Sequence, residues 1–600
     1  MKKFLSLIIL FLALLYVFGE TKQVVIIHTS DLHGFIYPVD YSTNKPANYG
    51  LARVSSFIKE QREKYGNENV VIIDTGDLIQ GSPMAYYYAR FDTEKEHPMI
   101  IAMNKLGFSA SVFGNHEFNY GLDLIDKVMQ EANFPFISAN VTREEDGIPL
   151  GFPYTIVYSG DVRIGILGLT TKFVPNWEDP RNIKGIKFID PLEAAKNYIS
   201  GLRENCDVVI VAYHGGLEKD PSTGTPTEPL VGENQGYEIV SQVNEIDILL
   251  TGHQHRSIAT KIGNVAITQP SNWGKMVGKI TVTLEKKDDK WIVVNTQPEL
   301  IDMSKYEPDK EILDLIKDYE DNVQKWLDTP VGTAQGDFYI ADPFVGRLWD
   351  NSLMEFVNRV QMHYSGAKIS STALFTNDVK GWKSGFITIR NVNSVYIYPN
   401  TLKVIKVKGK DIKAALERSA DYFTWENGVA KENKNWIEPK VQRYNYDIWE
   451  GISYKIVLNR PSGDRIIDLM FEGRPLDLES EYEIVLNNYR AGGGGGYSMF
   501  AGKPIVREVL IEVAELISNY IIDNKTIIAT VDNNWGTYVE FEYVVAEGDS
   551  WQSIAKKLNV SVDDLIRWND HCKNCELKPG EKLKYYVPYL EYIKLQQQAG

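Results

Sequence analysis

Five short apolar runs punctuate the first half of the chain, and each stops at a polar cluster. Residues 24–27 run into Asp31-Leu32-His33, residues 70–73 into Gly76-Asp77, and residues 110–113 into Gly114-Asn115-His116-Glu117. Residues 208–211 lead to Tyr213-His214-Gly215-Gly216, and residues 246–250 to Gly252-His253-Gln254-His255. Short apolar runs bounded by turn residues read as buried strands. Between them, residues 52–63 and 122–132 are helix-like. Such alternation predicts a layered α/β domain whose strands deliver side chains to one edge.

The pattern changes further along. Residues 311–327 place apolar side chains at Ile312, Leu315, Ile316, Tyr319, Val323 and Trp326, which predicts an amphipathic helix connecting two domains. From about Val331 the chain is richer in aromatics. Three segments stand out there: Tyr396-Ile397-Tyr398-Pro399-Asn400, Tyr444-Asn445-Tyr446-Asp447, and Asn487-Asn488-Tyr489-Arg490-Ala491 followed by glycines 492–496. Paired aromatics can sandwich a base, and a glycine run lets backbone approach a ligand closely. Residues 543–588 read as strand, helix, helix, strand.

Composition narrows the setting. Met1-Lys2-Lys3 precedes an apolar run over residues 4–18 that ends near Gly19, which has the form of a secretory signal over residues 1–19. No later run reaches transmembrane length, so no transmembrane anchor is expected. The net charge of −16 argues against a surface that coats polymeric nucleic acid, while a small anionic substrate stays compatible because a metal site reverses the local field. With 3 cysteines in 600 residues, disulfides do not hold the fold together. Cys206 reads as a buried thiol. Cys572 and Cys575 form a CxxC, for which a local disulfide leads over a redox site or half a zinc site.

Each strand-end cluster is by itself an ordinary turn. Together they place Asp, Asn or His at five strand ends, and four of the nine histidines, His33, His214, His253 and His255, fall in ligand positions there. Carboxylates, an amide and imidazoles form a mixed oxygen and nitrogen donor set suited to two divalent cations of Mn, Zn, Co or Fe. Thiolates are missing from the set, which disfavours a structural zinc cluster. Such a metal pair activates water near neutral pH and clamps phosphate oxygens.

The order Asp-x-His, Gly-Asp, Gly-Asn-His-Glu, His, Gly-His-x-His resembles the calcineurin-like metallophosphoesterases. That resemblance implies that Asp31, His33, Asp77 and His255 hold one metal, while Asp77, Asn115, His214 and His253 hold the other. Asp77 then bridges, and His116 acts on the transferring phosphoryl group or the leaving oxygen instead of the metal. Together with the aromatic second half, the chain resembles the two-domain extracellular nucleotidases. In that family two aromatics stack on the base; Tyr398 and Tyr489 match them, with Asn400 nearby, Arg490 following Tyr489, and Arg347 matching an arginine near the substrate.

Three departures from the 5′-nucleotidase pattern resemble the 2′,3′-cyclic-nucleotide 2′-phosphodiesterase/3′-nucleotidase branch. Asn119 stands where the 5′ branch has Asp, Thr376-Asn377-Asp378-Val379-Lys380-Gly381 replaces its Asn-Gly-Gly-Gly-Ile-Arg, and Gly495 replaces a ribose-binding Asp. Without a carboxylate at 119, Asp123 is a candidate to orient His116. Residues 543–588 resemble a LysM domain, which implies peptidoglycan or another N-acetylglucosamine glycan as partner.

The expected organisation is α/β: signal 1–19, a four-layer αββα metallophosphoesterase domain 22–300, a connecting helix 305–330, an α/β nucleotidase C-terminal domain 331–540, and a βααβ LysM module 541–588. The expected activity is metal-dependent hydrolysis of 2′,3′-cyclic nucleotides and 3′-nucleotides by a secreted, periplasmic or wall-associated enzyme. The alternatives are a 5′-nucleotidase with UDP-sugar hydrolase activity and a glycan-binding surface protein with a vestigial phosphatase fold.

Overall fold

The computed structural model describes residues 20–228, 230–375, 381–398, 400–438, 440–569 and 577–599. The expected signal segment, Cys572, Cys575 and the 376–380 segment lie outside these described residues. The chain divides into two compact units, residues 1–329 and 330–600. Among the described residues, no helix is long and apolar enough to cross a membrane.

In the first unit two six-stranded sheets stack face to face. One runs in the order Lys290–Asp302, Met276–Lys287, Thr21–Thr29, Val70–Asp74, Ala110–Val112, Phe136–Ile137. The other runs Ser257–Ile262, Val265–Pro270, Ile248–Thr251, Val208–His214, Val162–Thr170, Tyr154–Ser159. The central strands are parallel and the outer ones antiparallel, except edge strand Phe136–Ile137, which is parallel to its neighbour. Parallel strands covered on both faces have no polar side to alternate, so Val70–Asp74 and Val208–His214 are buried at every position. Val24, Ile26, Val71 and Ile73 of one sheet meet Ile164, Ile210, Ile248 and Leu250 of the other in the intervening core. Helix Leu51–Tyr65 lies on the outer face of the first sheet. Helices Pro191–Asn205 and Gly236–Gln242 close the second, through Ala195, Ile199, Leu202 and Ile239. These are the four layers expected.

Helix Lys310–Leu327 is capped by Asp309, whose carboxylate accepts from the Glu311 N–H at 3.1 Å. It buries Ile312, Ile316, Val323 and Leu327 and packs within the first unit, where its Tyr319 meets Tyr88 at 4.9 Å.

The second unit contains a five-stranded sheet ordered Asp447–Glu450, Ile369–Ala373, Glu481–Asn487, Leu402–Lys408, Ile505–Val509, with helix Ser352–Ser365 against it. A second five-stranded sheet runs Arg474–Pro475, Ile466–Phe471, Ile452–Val457, Trp535–Val544, Lys582–Pro588. Strand Trp535–Val544 pairs at its start with Ile452–Val457 and at its end with Lys582–Pro588. The boundary expected at 540/541 therefore falls inside one strand, and the C-terminal module is fused into the sheet instead of hanging from a linker. Its helices, Trp551–Leu558 and Val562–Trp568, start at Ser550 and Ser561 caps and enclose a small core of Val545, Ile554, Leu565 and Leu583.

Candidate active site

The parallel strands of the first unit leave their ends at a common edge, and the loops there are unusually bent. Asp31, His33, Asp77, His253 and His255 all have positive φ, between 49° and 66°. A non-glycine residue in this region costs about 1 kcal/mol or more, and persists where surrounding contacts impose it. The motif glycines permit the same crowding. A Cβ on Gly76 would lie 2.4 Å from the Gly114 nitrogen, and one on Gly114 would lie 2.2 Å from Asp77 Oδ1.

These bends bring all seven expected ligands together. His33 Nε2 and His255 Nε2 are 3.2 Å apart, His33 Nε2 lies 3.9 Å from Asp77 Oδ2, and His255 Nε2 lies 3.3 Å from Asp31 Oδ1. His214 Nε2 lies 3.3 Å from Asp77 Oδ2 and 3.0 Å from Asn115 Oδ1, which is 2.9 Å from His253 Nδ1.

The opposite ring nitrogens say which atoms carry lone pairs. His33 Nδ1 faces the Gln80 carbonyl at 3.0 Å, His214 Nδ1 faces the Thr75 carbonyl at 2.6 Å, and His253 Nε2 faces Glu233 Oε1 at 3.0 Å. In the neutral rings those nitrogens donate, so His33 Nε2, His214 Nε2 and His253 Nδ1 turn lone pairs towards carboxylate and amide oxygens. Acceptors facing acceptors in a buried place fit a cation among them. The electrostatics agree. Burial pushes the Asp77 carboxyl up, but His214, His116 and His33 hold it well below the usual range. Burial also opposes ionisation of Asp31, yet His255 and His214 bring it to about 2. Burial lowers His214, and Asp77, Asp31 and Glu117 together more than offset this, raising it to about 10, so a proton takes the place facing Asp77 wherever a cation does not. The site draws positive charge.

Sequence reasoning assigned no role to several supporting groups. Glu117 is fully buried and accepts backbone N–H groups from Asp77 at 2.9 Å, Gly114 at 2.5 Å and Leu78 at 2.5 Å, tying two ligand loops together. Glu233 holds His253, and the Trp177 ring stacks on His253 with centroids 5.2 Å apart. His116 donates its backbone N–H to Asp77 Oδ1 at 2.8 Å, and its ring Nδ1 meets Asn119 Oδ1 at 2.7 Å. Asn119, and not the expected Asp123, is the side chain against the His116 ring.

The second unit gathers the aromatics. Tyr398 packs on Phe375 at 5.2 Å and on Tyr444 at 6.5 Å. Burial raises its phenol pKa, and Tyr444 and Tyr489 add to the rise, so all three tyrosines share one neighbourhood. Asn400 is half-buried beside Tyr398, and its carbonyl accepts from the Val513 N–H at 2.9 Å. Gly494 lies directly against the Tyr489 ring, where a Cβ would approach within 2.5 Å. Gly495 has φ +72°, and a Cβ there would meet Asn445 Oδ1 at 2.2 Å and Arg490 Nη1 at 2.3 Å. A carboxylate side chain has no room at that position.

Arg347 and Arg490, expected near the substrate, make hydrogen bonds within the second unit. Arg347 is fully buried and donates to the Leu374 carbonyl at 2.7 Å and the Pro343 carbonyl at 3.2 Å. Arg490, 2% exposed, pairs with both Asp447 oxygens at 2.9 Å and donates to the Gly494 carbonyl at 2.5 Å. Both guanidinium groups are thus held by carbonyl and carboxylate groups of the second unit itself.

Three family models match this arrangement: calcineurin-like phosphoesterase over residues 24–257, 5′-nucleotidase C-terminal domain over 330–502, and LysM domain over 543–585. A Staphylococcus aureus crystal structure described as a 5′-nucleotidase is 34% identical, with a TM-score of 0.78, and the match covers 86% of this chain and 100% of that one. The chain belongs to the two-domain nucleotidases built on a calcineurin-like phosphoesterase domain. That phosphoesterase fold is metal-dependent. Among curated relatives, the trifunctional nucleotide phosphoesterase protein YfkN of Bacillus subtilis is 29% identical over 86% of this chain, which spans 39% of that protein's length. The 2′,3′-cyclic-nucleotide 2′-phosphodiesterase/3′-nucleotidase of Yersinia enterocolitica is also 29% identical, over 86% of this chain and 88% of its own.

Proposed function

We propose that the protein hydrolyses 2′,3′-cyclic nucleotides to 3′-nucleotides and then releases phosphate from these, as a secreted or wall-associated enzyme with two divalent cations. Asp31, His33, Asp77 and His255 hold one cation and Asp77, Asn115, His214 and His253 the other. When bound, the cations supply Lewis acidity and an activated water at neutral pH. His116, tied to Asp77 through its backbone, serves the phosphoryl group or the leaving oxygen. Tyr398 and Tyr489 bind the base, with Asn400 beside them, and the LysM module binds glycan.

The observation that carries this reading is the meeting of buried lone pairs around Asp77, which calls for cations and which a vestigial fold has no reason to keep. Gly495 supports the choice of substrate: with no carboxylate at that position, a phosphate esterified at the 2′ and 3′ oxygens meets no negative charge there. The activity named for the Yersinia relative points the same way. The Staphylococcus neighbour favours a second reading, a 5′-nucleotidase.

The test is a substrate panel on purified, metal-loaded protein, with chelation as control. We expect kcat/KM to favour 2′,3′-cyclic and 3′-nucleotides, and chelation to abolish turnover. A preference for 5′-nucleotides moves the protein to the second reading. A folded protein that takes up no metal and turns nothing over is a glycan-binding protein with a vestigial site.

A further inference from the structure

The contact at His116 continues inward. Asn119, whose Oδ1 meets His116 Nδ1 at 2.7 Å, donates its amide Nδ2 to Glu178 Oε2 at 2.6 Å. Glu178 is 8% exposed, and its other oxygen accepts from the Asp179 N–H at 2.8 Å and the Asn182 amide at 2.8 Å. Asn182 also donates to the Asn119 backbone carbonyl at 3.0 Å. These partners of Glu178 are all donors.

An amide has a donor side and an acceptor side, and its orientation is decided by whichever neighbour can play only one part. Both oxygens of Glu178 accept, so the NH₂ of Asn119 faces Glu178 and its oxygen faces His116. A carbonyl oxygen cannot donate. The hydrogen between them therefore belongs to His116 Nδ1, and Nε2 is the ring nitrogen left to carry the second, imidazolium proton and pass it to a phosphate ester oxygen.

We propose that Glu178 is a positioning residue for the reaction. By setting the direction of the hydrogen bonds through Asn119, it holds His116 in the Nδ1–H form. The pair Asn119–Glu178 does what a carboxylate directly at 119 would do, with the negative charge one residue further from the site. This inference rests on the role assigned to His116 above.

The direction of the chain can be reversed without changing its shape. Glu178→Gln turns one acceptor into a donor, so either Asn119 rotates and offers its NH₂ to His116, or two donors collide. Asn119→Asp alone sets two carboxylates 2.6 Å apart, where they repel. Combining Asn119→Asp with Glu178→Gln restores the pairing. The amide now at position 178 donates to the carboxylate now at position 119, and that carboxylate accepts from His116. The amide oxygen at 178 still accepts from Asp179 and Asn182.

Turnover of a 2′,3′-cyclic nucleotide should fall roughly 10- to 1,000-fold in kcat in each single variant, with KM and bound metal little changed. The double variant should recover to within about tenfold of wild type, which a general packing defect would not allow. Wild-type kcat in Glu178→Gln, or a folded, metal-replete double variant no better than the worse single, overturns the inference. His116→Ala separates the two levels. If it keeps wild-type turnover, the role of His116 falls and this inference with it. If it is inactive while Glu178→Gln is not, only the inference falls.

Discussion

At the residue scale, chemistry is concentrated in side chains whose backbones are held where glycine is usual. Asp31, Asp77 and His255 are poor choices for their φ values and good choices for a cation, and the Glu117 carboxylate fastens two of the loops that enforce them. Tyr398 and Tyr489 are proposed to work differently, through the ring face. Base stacking is worth about 1–3 kcal/mol by alanine substitution. Replacing either tyrosine with Ala should therefore weaken nucleotide kcat/KM roughly tenfold to hundredfold, while Phe should change it little. A small phosphodiester without a base should be hydrolysed equally by all these variants. Equal losses on both substrates would mean that the tyrosines support folding and not base binding.

At the element scale, the second unit places four carboxylates where three elements converge. Asp350 precedes helix Ser352–Ser365, Glu355 lies in its first turn, Glu450 ends strand Asp447–Glu450, and Asp532 precedes strand Trp535–Val544; one oxygen of each lies within 4.8 Å of the others. Burial, then Glu355 and Asp532, raise Asp350 to about 7, and burial, then Asp532 and Asp350, raise Glu450 to about 9. The ordinary values are 3.8 and 4.5, so the folded state binds more protons than the unfolded chain between these limits. The contribution is therefore full below about pH 4 and is lost as pH rises through about 7 and then 9. Thermal unfolding should show Tm declining from about pH 6 to pH 9, and Glu450→Gln should flatten that decline. An unchanged slope in the variant would remove this cluster as its cause.

At the scale of the whole molecule, the LysM module shares a strand with the nucleotidase C-terminal domain. Arg567 pairs with Asp468 at 3.0 and 3.1 Å, the Trp568 indole donates to the same carboxylate at 2.9 Å, and Tyr589, just beyond the module, accepts from the Ala430 N–H at 2.9 Å. A module on a flexible tether could be removed without consequence. Here, ending the chain at residue 540 should lower Tm by at least about 5 °C as well as abolish sedimentation with peptidoglycan. Unchanged Tm in the truncated protein would show that the shared sheet contributes little. The proposed wall binding would then carry a geometric consequence: glycan on this module would sit at a fixed place on the second unit.

The alternation of buried strand and helix, and the gathering of the seven expected ligands at strand ends, were legible in the sequence. Parallel strands covered on both faces appear as unbroken apolar runs, and each expected ligand ends its strand or follows it within a few residues. The segments that bring Tyr398, Tyr444 and Tyr489 together stood out too, since glycine runs and paired aromatics are local patterns. Only the tertiary structure decided what lies behind those groups. Glu178 is 59 residues from Asn119, and Asp447 is 43 residues from Arg490, so no local spacing announces either pair. The fate of Arg347 and Arg490 turned on burial, which a motif does not encode. The fusion of the LysM strand depended on a pairing between residues 454–457 and 535–538, and strand partners are chosen by the folded sheet.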